Sequence, residues 1–121
     1  MRMLSIVDGP EGVSRFEERE IEMSLTEFAP PAPAMPVSAV EPCRGLLHLV
    51  LPAGWTGARH PAPRRQVGYV LSGRIRVETG DGDMREAGPG AILGMMDVAG
   101  AGHVTSVLGD EDVAMAIVQL E

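Results

Sequence analysis

Glycine and proline interrupt this chain too often for long helices to survive. Fifteen Gly and ten Pro fall among 121 residues. In a helix interior glycine costs about 1 kcal/mol relative to alanine, and proline about 3. The stretches between these breakers are short. Several alternate apolar with polar residues, the period of a half-buried strand. Arg74-Ile75-Arg76-Val77-Glu78 alternates cleanly and is followed by Gly80-Asp81-Gly82-Asp83, a hairpin turn signal. Leu46–Leu51, Val67–Leu71, Ala91–Met96, Val104–Leu108 and Val113–Leu120 are further strand candidates. Leu46–Leu51 is apolar on both parities, so it is expected to be covered on both faces. Short strands with turn signals between them, recurring every ~8–12 residues, imply an all-β sandwich or barrel.

The first forty residues follow a different rhythm. Asp8-Gly9-Pro10-Glu11 reads as a turn, and Arg15–Glu20, with its three glutamates, as a solvated segment. Ile21, Met23 and Leu25 alternate with Glu20, Glu22 and Ser24, which is strand spacing. Phe28–Pro36 holds four prolines, so it is expected to be extended and to lie at an edge or across a surface. Residues 1–40 are thus expected to form an N-terminal strand and a Pro-rich arm packing on the barrel or a partner, with residues 41–121 forming the barrel. Length alone points to one domain.

Charge and residue type exclude several functions. Seventeen acidic residues against ten basic ones leave a formal net charge of −7. That is the wrong sign for nucleic acid or for an anionic membrane surface. All the basic residues are arginine, so neither a lysine Schiff base nor a phosphate-loop lysine is available. Cys43 is the single cysteine, so no internal disulfide and no thiolate zinc cluster can form. The apolar run at Leu4–Val7 is too short for a signal segment, and Leu46–Leu51 is too short for a membrane span. A soluble cytoplasmic protein is expected.

Two spaced segments carry the chemistry. The first runs Gly54, five residues, His60, one residue, Ala62, three residues, Gln66, six residues, Gly73. It resembles the first motif of the cupin family, Gly-x5-His-x-His-x3/4-Glu-x6-Gly, with Gly54, His60 and Gly73 matching in identity. The second runs Gly90, seven residues, Val98, Ala99, Gly100, two residues, His103, three residues, Val107. It is similar to the family's second motif, Gly-x5/7-Pro-x-Gly-x2-His-x3-Asn, with valines in place of Pro and Asn. The resemblance covers residues 46–120. It implies an all-β double-stranded β-helix, the cupin jelly-roll barrel, in which His60 and His103 reach one cavity. It also implies a homodimer, since barrels of this family often pair through an N-terminal strand.

In the family, the first motif's two histidines and glutamate and the second motif's histidine bind a divalent metal. Carried over, the ligands would be His60, Gln66 and His103. Ala62 stands at the remaining position and cannot ligate, and Gln66 offers a neutral amide oxygen in place of a carboxylate. Two imidazoles would hold nickel, copper or zinc better than iron. The cofactor expectation is therefore one divalent ion (Ni, Cu, Zn or Fe) or none. Without a metal, His60 and His103 are candidate acid–base catalysts. Asp97, six residues before His103, is a carboxylate near the expected cavity mouth. Arg64 shares its parity with His60, and Trp55 sits in a Gly-Trp-Thr-Gly loop. These three are the candidate substrate-binding residues. His48, Tyr69, Met95-Met96 and Cys43 read as packing or interface residues.

The expected function is a His-lined pocket acting on a small organic molecule. The reaction would be non-redox isomerase-, cyclase- or lyase-type chemistry, or metal-assisted chemistry. The rival is a small-ligand-binding or sensing barrel without turnover.

Overall fold

The alternation along β11 (Val113–Leu120) shows how the barrel is built. Val113, Met115 and Ile117 are buried, while Ala114 and Ala116 between them face the other side of the sheet. The computed structural model describes residues 1–121 and contains eleven β-strands and no α-helix. The large sheet also holds β1 (Arg2–Asp8), β2 (Ser14–Glu20), β5 (Cys43–Leu51), β6 (Gln66–Ser72) and β9 (Ile92–Met95), in the order β2-β1-β9-β6-β11-β5. A three-stranded sheet, β10-β7-β8, faces it, built from β7 (Arg74–Glu78), β8 (Met84–Ala87) and β10 (Val104–Leu108). The core lies between the two sheets. Ile6, Val70, Leu93, Val113, Met115 and Ile117 come from the large sheet, and Ile75, Val77, Ala87 and Val107 from the small one. The molecule is an all-β jelly-roll barrel.

Local chemistry accounts for the joints. Gly73 joins β6 to β7 at φ +78°, and a Cβ there would lie 2.5 Å from the Asp112 carbonyl. Only glycine fits that turn. The Gly80–Asp83 turn closes the β7–β8 hairpin, which pairs Ile75 with Ala87 and Glu78 with Met84. A hydrogen bond from the Thr79 hydroxyl to Asp81 Oδ1 at 2.6 Å braces it.

The N-terminal region departs from expectation. Residues 2–20 belong to the barrel itself. β1 lies inside the large sheet, antiparallel to β2 and parallel to β9, and Ile6 is 1% exposed. The N-terminal strand expected to pack on the barrel is thus a pair of strands within its large sheet, and the segment outside that sheet starts after β2. β2 is an edge strand whose glutamates fall on both faces: Glu17 pairs with Arg15 and Arg19 on the outer face, and Glu18, on the side of Phe16, pairs with Arg2 and Arg85. The strand expected over Ile21–Leu25 shrinks to β3 (Ser24–Thr26), which pairs only with β4 (Met35–Val37). β5 is not covered on both faces either, since Leu46 and Val50 are 63% and 59% exposed. No helix of the structure is long and apolar enough to cross a membrane.

Candidate functional site

The two histidine-bearing segments meet by backbone pairing. His60 and His103 form an isolated antiparallel bridge, His60 N–H donating to the His103 carbonyl at 3.1 Å and His103 N–H to that of His60 at 3.0 Å. Forty-two residues separate them in the chain. Their rings lie 5.1 Å apart, centroid to centroid, tilted by 50°. The approach depends on Gly102, at φ +88°, where any Cβ would run into the His60 carbonyl.

Both rings line a cavity of about 240 Å³ between the sheets. Its walls are mostly apolar, with Ile6, Leu49, Ile75, Leu93, Met115 and Ile117 among them. The polar groups facing it are His60, His103, Gln66, Thr105 and the indole of Trp55. An apolar cavity of about 150 Å³ holds benzene. By proportion this one holds a ligand of about ten non-hydrogen atoms.

Each histidine is oriented through Nδ1. His103 Nδ1–H donates to Asp97 Oδ2 at 2.6 Å, with the two side chains 4% and 0% exposed. Asp97 does not line the cavity. The carboxylate thus holds the rear edge of the ring, and in the neutral ring Nε2, on the opposite edge, carries the lone pair. His60 Nδ1–H donates to the Ala58 carbonyl at 2.7 Å, so in its neutral ring too the lone pair is on Nε2. One oxygen of Asp97, Oδ1, is buried without a hydrogen-bond partner.

The loop carrying these groups is clamped from the N-terminal hairpin. Asp8 accepts hydrogen bonds from the backbone N–H groups of Ala99 and Gly100, each at 3.0 Å. Ser14, fully buried, donates to the Gly102 carbonyl at 2.7 Å and accepts from Gly80 N–H at 2.8 Å. Arg59 also donates to the Gly102 carbonyl, at 3.1 Å. β1 and β2 therefore support the site as well as the core.

The folded barrel separates the sequence-based candidates. His60, His103, Gln66 and Trp55 all line the cavity. Asp97 was expected to bind substrate; it sits behind His103, and the one hydrogen bond of its carboxylate is to that ring. Arg64 is half-buried and does not line the cavity. Its parity does not carry over because residues 63–65 form a bend and strand alternation begins only at Gln66. His48 and Tyr69 are exposed on the outer face of the large sheet. Thr105 was missed, although it stands two residues after His103 and so shares its face of the strand.

A resident divalent ion does not fit these residues well. The donors available are two imidazole Nε2 atoms and one neutral carboxamide. Ala62, 3% exposed, fills the remaining position with a methyl group. Nowhere do three His, Cys, Asp or Glu side chains come together. Tight divalent sites usually supply three or more donors, often including an anion.

No protein-family model matches the sequence, and no curated protein does. Several solved structures are similar in fold. A Streptococcus pyogenes protein of unknown function aligns at 15% identity over 69% of this chain and 70% of its own, TM-score 0.49. The cupin domain of Schizosaccharomyces pombe Cnp3 aligns at 13% identity over 99% of this chain and 84% of its own, TM-score 0.49. A cupin superfamily protein from Desulfitobacterium hafniense aligns at 14% identity over 81% of this chain and 99% of its own, TM-score 0.43. The structural neighbours of this all-β barrel thus include cupin domains.

Proposed function

We propose that the barrel cavity binds a small organic molecule and that His103, oriented by Asp97, moves a proton on it. The observation that carries this reading is the 2.6 Å bond between Asp97 Oδ2 and His103 Nδ1, both buried, with the imidazole forming part of the cavity wall. A carboxylate behind a histidine sets the tautomer and leaves the front nitrogen as a base. The walls around His103, itself 3% exposed, are mostly apolar and shield its ring from bulk water, while His60 is exposed. Once it has taken the proton, His103 is itself the acid that returns it at another position, and His60 Nε2 beside it can accept a hydrogen bond from the ligand. Isomerase-, cyclase- or lyase-type chemistry needs that pair of transfers. No step requires a metal.

The test uses benzisoxazole, a small apolar ring compound that reports proton abstraction. A base removes the ring C–H proton, its electron pair forms the nitrile, the N–O bond breaks, and a cyanophenolate is released that absorbs in the ultraviolet. The protein is expected to exceed the rate of free imidazole at equal concentration and pH. His103→Ala should return it to that background. A rate that survives His103→Ala overturns the reading. Binding without any rate leaves the barrel as a ligand-binding module.

A further inference from the structure

Resting on that reading, we propose that the cavity's ligand is an uncharged carbonyl compound, and that Gln66 is the residue that binds its oxygen. Gln66 is 8% exposed, and its side chain faces the cavity. Its backbone is committed to the ladder, opposite Met95 on one side and Gln119 on the other. Its carboxamide carries two N–H donors and an oxygen with two lone pairs. The one partner it finds is the Met95 thioether, 3.8 Å from Nε2, a weak acceptor. Buried amides are ordinarily satisfied, and leucine or methionine would fill the same space among these apolar walls at no polar cost. The amide is aimed where a ligand sits, with its hydrogen bonds unmade.

The charge of the ligand follows from the rest of the wall. No Asp, Glu or Arg lines the cavity. Arg59 is turned to the Gly102 carbonyl, and Asp97 is covered by the His103 ring. An ammonium ligand would leave water without a counter-charge, and a carboxylate would find one only where a histidine takes up a proton, which apolar surroundings penalise. A neutral molecule meets no such barrier.

The functional group follows from the two polar sides together. His60 and His103 each present a lone pair, while the Gln66 Nε2 hydrogens are donors. A carbonyl compound uses both. Its oxygen accepts from Gln66, and the hydrogen on the adjacent carbon is acidic enough for His103 Nε2 to take. The C–H electron pair then forms a carbon–carbon double bond, and the carbonyl π pair moves onto oxygen. The resulting enolate oxygen takes a stronger hydrogen bond from Gln66 than the neutral carbonyl did. Return of the proton to the same carbon gives exchange, and delivery elsewhere gives an isomer.

The test compares three probes of similar size: cyclohexanone, its hydrocarbon isostere methylenecyclohexane, and the anion cyclohexanecarboxylate. Dissociation constants are read from NMR shift changes of the cavity methyl groups in wild type, Gln66→Leu and Gln66→Met. These same spectra report whether each variant is folded. In wild type cyclohexanone is expected to bind about three- to tenfold tighter than methylenecyclohexane, the worth of one hydrogen bond. That advantage should vanish in both variants, and the carboxylate should bind weakest. A ketone advantage that persists without the Gln66 amide overturns the assignment of Gln66. Tightest binding by the carboxylate overturns the neutral ligand. Failure of all three probes to bind overturns the proposed function itself. Binding with benzisoxazole turnover but no dependence on Gln66 overturns only this inference.

Discussion

Asp97 and His103 stand six residues apart in a loop and meet through one short bond, Oδ2 to Nδ1 at 2.6 Å, buried from solvent. That bond fixes which nitrogen of His103 faces the cavity. Asp97→Asn keeps the shape but replaces a carboxylate that only accepts with an amide that can also donate, so the imidazole tautomer is no longer fixed. Benzisoxazole turnover should fall by about 100-fold or more, the usual worth of a positioned base. Nitrogen-15 shifts of the His103 ring should report a tautomer mixture in the variant and a single Nδ1–H form in wild type.

Gln66→Glu restores an anion beside two imidazoles. Two histidines and one carboxylate are a common divalent set. Calorimetric titration with Ni²⁺ or Zn²⁺ should show affinity rising on the order of tenfold or more over wild type, because a unit charge at coordination distance is added. Equal affinities would mean that the Gln66 side chain and the two rings do not converge on one point.

Ser14 couples the N-terminal hairpin to the site. Ser14→Ala removes the hydroxyl bonded to the Gly102 carbonyl and to Gly80 N–H, and leaves both groups buried. Denaturant unfolding should show a loss of about 1–3 kcal/mol. The His103 ring resonances should shift as well, since Gly102 precedes it. Ile6→Ala in β1 should cost about 2–5 kcal/mol, the usual range for a core aliphatic truncation. A small effect would place β1 outside the core.

The Thr79 hydroxyl bonded to Asp81 holds that carboxyl below its ordinary value of 3.8, with the Asp83 backbone N–H assisting. A depressed folded value stabilises the folded state above the ordinary carboxylate range, and the contribution is lost as pH falls through the folded value. Thr79→Val should move the Asp81 titration, read from its carboxyl carbon shift, back up toward 3.8. Asp81 is solvent-exposed, so the effect on global stability should be small.

The outer face of the large sheet should be covered by a second copy of this chain. Leu46, Val50 and Leu71 are exposed on it by 63%, 59% and 56%. The β3–β4 hairpin pairs with no other strand and exposes Leu25 and Phe28. A groove of about 620 Å³, lined by Phe28, Val40 and Tyr69 among others, lies between this arm and the sheet. Isolated two-stranded hairpins are marginal in water. In a two-fold pair each arm can lie on the partner's apolar face. Light scattering after gel filtration should give twice the 12.8 kDa chain mass, and Leu46→Arg with Leu71→Arg should give the monomer. A wild-type monomer at micromolar concentration sinks this arrangement.

Most of the barrel was legible because strand period and turn chemistry are local. β7, β10 and β11 run over the residues their alternation and breakers predict. β1 and β2 were not, because Leu4–Val7 is short and the glutamates of β2 read as solvent-facing. Only pairing with β9, more than eighty residues away, shows that Ile6 is core. Arg64 was misplaced for a related reason: parity means nothing where the backbone bends.

By itself the sequence determined the strand period, the turn at Gly73 and the two segments that carry His60 and His103. Each of these depends on neighbouring residues and on what a backbone allows. Only the tertiary structure decided that Asp97 stands behind His103 rather than in the cavity, that Asp8 and Ser14 clamp the loop between them, and that Gln66 enters an apolar space with its hydrogen bonds unmade. Asp97 and His103 are only six residues apart, but their loop has no regular period to place them; the other contacts join residues far apart in the chain, and such distances are set by how the two sheets close on one another.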